Sequence, residues 1–146
     1  MKGLGVLVLF LFLSLSGLLN SAEAEDRVLK FPIKHALNSK LGKEKMLDDI
    51  RVYMVGQGHP GVDRSYREYQ SNKRSNGLSD QAACDKAFLS AIIGLQQRAD
   101  REGGNAVIDI FSIANNKKLK SADTYSCLRG RSMANVILRG TVVRLD

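Results

Sequence analysis

The chain has 146 residues, with 22 lysines and arginines against 15 aspartates and glutamates, a net charge of +7, two prolines and no tryptophan. That length suits one domain with a real core, and the mixed composition excludes a collagenous or low-complexity chain. Two cysteines, Cys84 and Cys127, and two distant histidines, His35 and His59, lack the spacing of a zinc site.

In chain order, Met1-Lys2-Gly3 precede an apolar run from Leu4 to Leu19. At roughly 16 residues the run falls short of the ~18 expected of a membrane-spanning helix. It ends in Asn20-Ser21-Ala22-Glu23-Ala24, where Ala22 and Ala24 supply the small residues of a signal-peptidase site. The expectation is a signal peptide over residues 1–24, cut after Ala24. The remainder then reaches the periplasm, or is secreted as the alternative, with no membrane-spanning segment left. No cysteine follows the run to accept a lipid. In an oxidising compartment Cys84 and Cys127 are expected to pair, the alternative being two buried free thiols.

Residues 25–48 read as an N-terminal helical segment packed on the domain that follows. Pro32 suits a first helical turn, and Ile33, Ala36, Leu37 and Leu41 recur at helical spacing up to Gly42. From Asp49 to Val55 the alternation of Ile50, Val52 and Met54 with polar neighbours predicts a half-buried strand. The Gly56–Gly61 stretch, rich in glycine and carrying His59, reads as a loop. Tyr66 to Gly77 is polar and reads as a second strand followed by a loop, with its class open.

The clearest element starts at Ser79-Asp80, a cap followed by an acidic first-turn residue. Cys84, Phe88, Ala91, Ile92, Leu95 and Ala99 line one face of a helix running to about Glu102, with Lys86, Gln97, Arg98 and Arg101 mainly outside it. Gly103-Gly104 ends it, and Asn105 leads into the strand-forming run Ala106 to Phe111. Asn115 to Ser121 reads as a basic hairpin tip, Thr124 to Cys127 as a strand, and Leu128 to Ser132 as a turn. The last apolar run, Ala134 to Leu145, is expected to bulge or bend at Arg139-Gly140, giving three strands after the helix.

The blocks Leu95-Gln96-Gln97-Arg98-Ala99, Gly103-Gly104-Asn105-Ala106-Val107, Tyr125-Ser126-Cys127 and Ala134 to Val143 carry a resemblance. The chain resembles small exported bacterial proteins often named automatically as an excinuclease ATPase subunit, whose shared half is similar to the RcsF-like and YbjQ-like α+β domain. The likeness covers Asp49 to Leu145. It implies an α+β fold for residues 49–146, with one long amphipathic helix on a small, mostly antiparallel sheet, and a role in the cell envelope as a sensor or binding partner. An ATPase of the excinuclease class needs a G-x-x-x-x-G-K-[ST] phosphate cradle, which this sequence does not contain. The YbjQ-like branch is linked by its domain name to heavy metals, but the Cys/His cluster for that is missing here.

Binding therefore ranks above catalysis, with no cofactor and no nucleic acid expected. The first reading is a periplasmic interaction module that meets an envelope protein. The alternative is a cationic domain in which Lys117, Lys118, Lys120, Arg129 and Arg131, on two neighbouring connectors, take an anionic envelope lipid or lipopolysaccharide. The bland counterpart of that patch is a pair of solvated loops. Gly103, Gly104, Asn105 and Ala106 read as a structural turn. A small hydrolase-type enzyme ranks last, because His59, Asp109, Ser112 and Tyr125 are scattered singly. Alternation places Asp109 on the outer face, with Val107 and Phe111 as neighbours.

Overall fold

The computed structural model describes residues 26–146, so the expected signal peptide and its cut site lie outside the described residues. Strands β1 (Arg27–Pro32), β2 (Arg51–Met54), β3 (Val62–Ser75), β4 (Ala106–Ala114), β5 (Lys117–Leu119), β6 (Thr124–Arg129) and β7 (Ala134–Leu145) form a 7-stranded sheet. Among the described residues three helices accompany them: α1 (Ile33–Asn38), α2 (Lys40–Lys45) and the 23-residue α3 (Asp80–Glu102). The class is α+β. Only β2 and β4 pair in parallel; the other pairings are antiparallel.

Ser79 caps α3, its hydroxyl accepting the Ala82 N–H at 3.1 Å. Gly103 ends the helix at φ 84°, a left-handed conformation that a side chain would strain. Ala83, Ala87, Ala91 and Ala99 punctuate the buried face between Phe88, Ile92 and Leu95, and their small side chains let the helix lie close on the sheet. The chain turns back so tightly after α3 that a Cβ on Gly104 would stand 2.7 Å from the Val143 carbonyl oxygen. Asn105 then imitates a strand residue. Its side chain donates to the Leu145 carbonyl at 3.0 Å and accepts the Leu145 N–H at 2.7 Å. The three-residue turn Gly103-Gly104-Asn105 thus ties the end of the helix to the end of β7.

Several expectations need correction. The segment 25–48 is not wholly helical: Arg27–Pro32 is a strand that pairs with β6 along its length. The helix expected from Pro32 to Gly42 is two six-residue helices broken at Ser39. Ser39 is extended there, and its hydroxyl accepts the Gly42 N–H at 3.1 Å, because a serine competes for backbone hydrogen bonds and favours caps over helix interiors. Pro32 sits at the cap position before α1, not inside its first turn. The polar Tyr66 to Gly77 stretch is strand and then loop as expected, but the strand is longer: it is part of β3, which starts at Val62, runs 14 residues beside β7 and ends at Ser75.

Four strands follow α3, not three, because Lys117–Leu119 pairs back on β4 through a two-residue turn. Asn115 and Asn116 both hold positive φ there, as a type I′ hairpin requires. The bulge expected at Gly140 lies across from it. β7 is continuous, and the register of β4 shifts between Ile108 and Phe111, where Asp109 takes φ 53°. Gly140 supplies the room: a Cβ there would meet Val107 Cγ1 at 2.6 Å and Ile110 Cγ1 at 2.9 Å. The extra residue resets the alternation of β4, so Val107 and Ile110 both join the core under α3. Val107 is therefore buried and is no outward neighbour of Asp109.

Strand β7 has β3 along one edge, while β4 and β6 share the other. β6 pairs with β7 only at Leu128 and Arg129, then departs to run with β1. Where backbone pairing between β4 and β6 is missing, the Ser112 hydroxyl accepts the Ser126 N–H at 2.9 Å. On its other face β6 turns Tyr125 and Cys127 toward α3. Cys127 is disulfide-bonded to Cys84, with Cα atoms 5.9 Å apart, and the Tyr125 ring stacks on Phe88 at 4.4 Å between centroids.

Candidate functional site

The departure of β6 opens a cleft of about 310 Å³ between the β1–β6 pair and the β4–β5 hairpin. Val28 and Lys30, two apart on β1, point to it together, as alternation along a strand requires, while Phe31 packs against the core. The hairpin adds Ala114, Lys117, Lys118 and Leu119. Apolar and cationic surface thus meet in one depression. None of Lys30, Lys117 and Lys118 has a carboxylate within 4 Å among the described residues.

The basic patch expected from sequence is divided by the structure. Lys117 and Lys118 line the cleft, and Lys120 stands beside them with its ammonium 5.5 Å from the centre of the Phe111 ring, which Lys118 approaches at 5.8 Å. Arg129 is withdrawn from the patch. Its guanidinium meets Asp80 at 3.0 Å and its side chain is only 12% exposed. Arg27 takes the other oxygen of Asp80, also at 3.0 Å, and the Arg129 and Arg27 hydrogen bonds together hold the Asp80 carboxyl below the usual range. Arg131 is exposed in the β6–β7 turn, outside the cleft lining. Lys30 was missed by the sequence reading, although the alternation in Arg27-Val28-Leu29-Lys30 could have revealed it once β1 was recognised.

The residues weighed for catalysis do not come together. His59 is exposed in its loop, its Nδ1 2.8 Å from the Pro60 carbonyl oxygen. Asp109 is exposed at the bulge, and Ser112 is consumed in the seam between β4 and β6. Tyr125 belongs to a polar network that sequence reasoning did not foresee. Its hydroxyl donates to Asp85 Oδ1 at 2.5 Å, and the other oxygen of this buried carboxylate lies 2.6 Å from His35 Nδ1. The network joins β6, α3 and α1. The His35 ring stays 61% exposed beside Lys34, Asn38 and Ser39 in a shallow depression, with no hydroxyl or thiol bonded to it among the described residues. Among the described residues no three His, Cys, Asp or Glu side chains gather as a metal site, and no helix is long and apolar enough to cross a membrane.

No family model matches the chain. A search of the curated proteins finds no similar one either. The reading of the site therefore rests on its own geometry.

Burial, and then the hydrogen bond to Asp85, push the Tyr125 phenol well above its ordinary value. A folded-state value raised in this way gives stability that is intact below the unfolded value, about 10 for tyrosine, and is lost as the pH climbs past it. Urea unfolding at pH 8 and pH 11 should show the native protein losing stability across that interval. A Tyr125→Phe variant should start lower, by about 1–3 kcal/mol, because Asp85 loses a donor, and should lose less between the two pH values. Equal losses in the two proteins would show that the buried phenol is not the group responsible.

Proposed function

We propose that this chain is an exported, non-enzymatic binding module of the cell envelope that takes an anionic, partly apolar ligand, such as the phosphate-bearing head and first methylenes of an envelope lipid, in the cleft between β1–β6 and the β4–β5 hairpin. One observation carries the reading: Lys30, Lys117 and Lys118, none with a carboxylate within 4 Å among the described residues, line a depression whose remaining walls include Val28, Ala114 and Leu119. Ammonium groups around an apolar floor match an amphipathic anion better than a sugar or a neutral peptide, and the lysine stems add apolar area of their own. The N-terminal apolar leader, the disulfide and the resemblance to the RcsF-like domain support an envelope setting.

The test uses the purified disulfide-bonded protein with vesicles of phosphatidylcholine alone or with phosphatidylglycerol, and dodecyl phosphate as a soluble probe. Retention should require the anionic lipid and fall at least about tenfold when Lys30, Lys117 and Lys118 are all changed to Gln, since each lysine near such a surface contributes about 1 kcal/mol. Raising the salt from 0.05 to 0.5 M should weaken binding to the vesicles, as the ~10 Å screening length at 0.1 M shortens. Undiminished binding by the triple variant would refute the cleft as the site.

A further inference from the structure

A second depression, sharing no residue with the lysine cleft, runs between α3 and the C-terminal part of β3. Its volume is about 310 Å³, and its walls include Ser71 and Lys73 from the strand and Gly94, Gln97, Arg98 and Arg101 from the helix. The helical residues stand at i, i+3, i+4 and i+7, so they form one stripe beside the strand. In an amphipathic helix such a stripe is ordinarily the solvated side. Here β3 borders it along one side.

Three features make the groove more than a basic surface. First, its cations are poorly neutralised. Lys73 and Arg101 have no carboxylate within 4 Å among the described residues. Arg98 lies over the Tyr69 ring at 4.4 Å, and its one carboxylate within 4 Å among the described residues, that of Glu102, is 3.7 Å away. That carboxylate also accepts the Tyr69 hydroxyl at 2.8 Å.

Second, Ser71 is only 8% exposed and its hydroxyl has no hydrogen-bond partner among the described residues. Buried hydroxyls are seldom left so, because each forfeits the hydrogen bonds that water gave it. Third, position 94 is open where any side chain would intrude: a Cβ on Gly94 would lie 2.5 Å from Ser71 Oγ and 3.4 Å from Lys73 Cε. The missing side chain, the orphaned hydroxyl and Lys73 meet at one spot, and Arg98 and Arg101 line the same groove.

We infer that this groove binds a phosphate monoester, with Arg98, Arg101 and Lys73 neutralising the dianion and the Ser71 hydroxyl donating to one of its oxygens. Guanidinium groups present paired donors that fit a phosphate's oxygens, and Lys73 adds a point charge. The lining is polar almost throughout, so the groove takes the phosphorylated head of a ligand and no acyl chain. A free sugar phosphate and a phosphomonoester lipid head offer that same group.

Glucose 1-phosphate titrated into the purified disulfide-bonded protein, with glucose as the uncharged control, should shift the backbone amide signals of 71–73 and 94–101 and leave those of Lys30 and Lys117 in place. Vesicles of phosphatidylcholine with phosphatidic acid form the second arm. Binding in the first arm identifies a soluble ester as sufficient, and binding in the second alone identifies a lipid-borne one.

In whichever arm binds, the Arg98→Gln/Arg101→Gln variant should weaken affinity at least tenfold. Ser71→Ala should weaken it several-fold and raise the unfolding midpoint of the ligand-free protein, because it removes an unsatisfied group. Gly94→Ala should abolish binding, and Ser71→Ala serves as the readout if that variant folds poorly. Absence of binding in both arms at millimolar ligand, signals that move only around the lysine cleft, or affinity unchanged in the double variant would each overturn the assignment. Failure of the lysine cleft leaves this groove untouched, since the two rest on separate residues.

Discussion

Replacing Cys84 and Cys127 together by alanine is expected to lower the unfolding free energy by about 4 kcal/mol, the loop-closure value for a cross-link spanning roughly 44 residues. For a domain of this size that corresponds to a fall in melting temperature of roughly 15 °C. The bond does more than shorten the unfolded chain. β6 shares little backbone pairing with the rest of the sheet, so the link from Cys127 to α3 is one of the few connections holding the β1–β6 pair against the core. Both cysteines are fully buried. Reductant should therefore act slowly on the folded protein and quickly once denaturant opens it. Chemical unfolding of the double variant beside the native protein measures the first effect. A difference below about 1 kcal/mol would mean that side-chain packing alone holds β6 in place.

The second large effect is expected at Gln96. This side chain is 1% exposed on α3 and clamps the connection between α2 and β2. Its oxygen accepts the Leu47 N–H at 3.0 Å, while its nitrogen donates to the Leu47 carbonyl at 2.9 Å and to the Ile50 carbonyl at 2.7 Å. Gln96→Leu keeps the volume and strips all three bonds. The Leu47 carbonyl still receives the Ile50 N–H at 3.4 Å, so the two groups left fully unpaired are the Leu47 N–H and the Ile50 carbonyl. The loss should be about 3 kcal/mol, since each buried unsatisfied backbone group costs about 1–3 kcal/mol. Gln96→Glu separates shape from bonding: it retains an acceptor for Leu47 and loses the donor to Ile50. Urea midpoints of the two variants should both fall, with Gln96→Leu as stable as native being the result that removes the clamp from the account.

How far the fold was legible depended on whether its cues were local. α3 announced itself because its cap, its apolar stripe and its terminating glycine lie within one segment and agree with one another. The disulfide followed from two cysteines and an export leader. β3 was obscured because most of its side chains face water and its register shifts twice, which breaks the alternation that marks a strand. β1 was obscured because a strand of six residues beside proline carries little periodic signal.

The sites were harder for a different reason. Asp85 sits next to Cys84 in the middle of a helical pattern, and its partners come from residues 35 and 125, so nothing local distinguishes it from a solvated aspartate. Arg129 looked available because Leu128 to Ser132 reads as a turn, whereas Asp80, far away in the chain, claims it. Lys30 and the Lys117–Lys118 pair meet only because β6 abandons β7. Spatial convergence of distant residues leaves no trace in the spacing of one sequence.

That abandonment divides the sheet mechanically. One leaf, β1 with β6, is continuous within itself, but it is fastened to the rest of the domain by a short hairpin ladder, one serine hydroxyl, a cystine, the contacts of Tyr125 and the ion pairs of Arg27 and Arg129 with Asp80. Apart from the short ladder, these fastenings run through single side chains and not through a continuous row of backbone hydrogen bonds. The lysine cleft lies along that line of parting, so its width is set by where the two leaves separate.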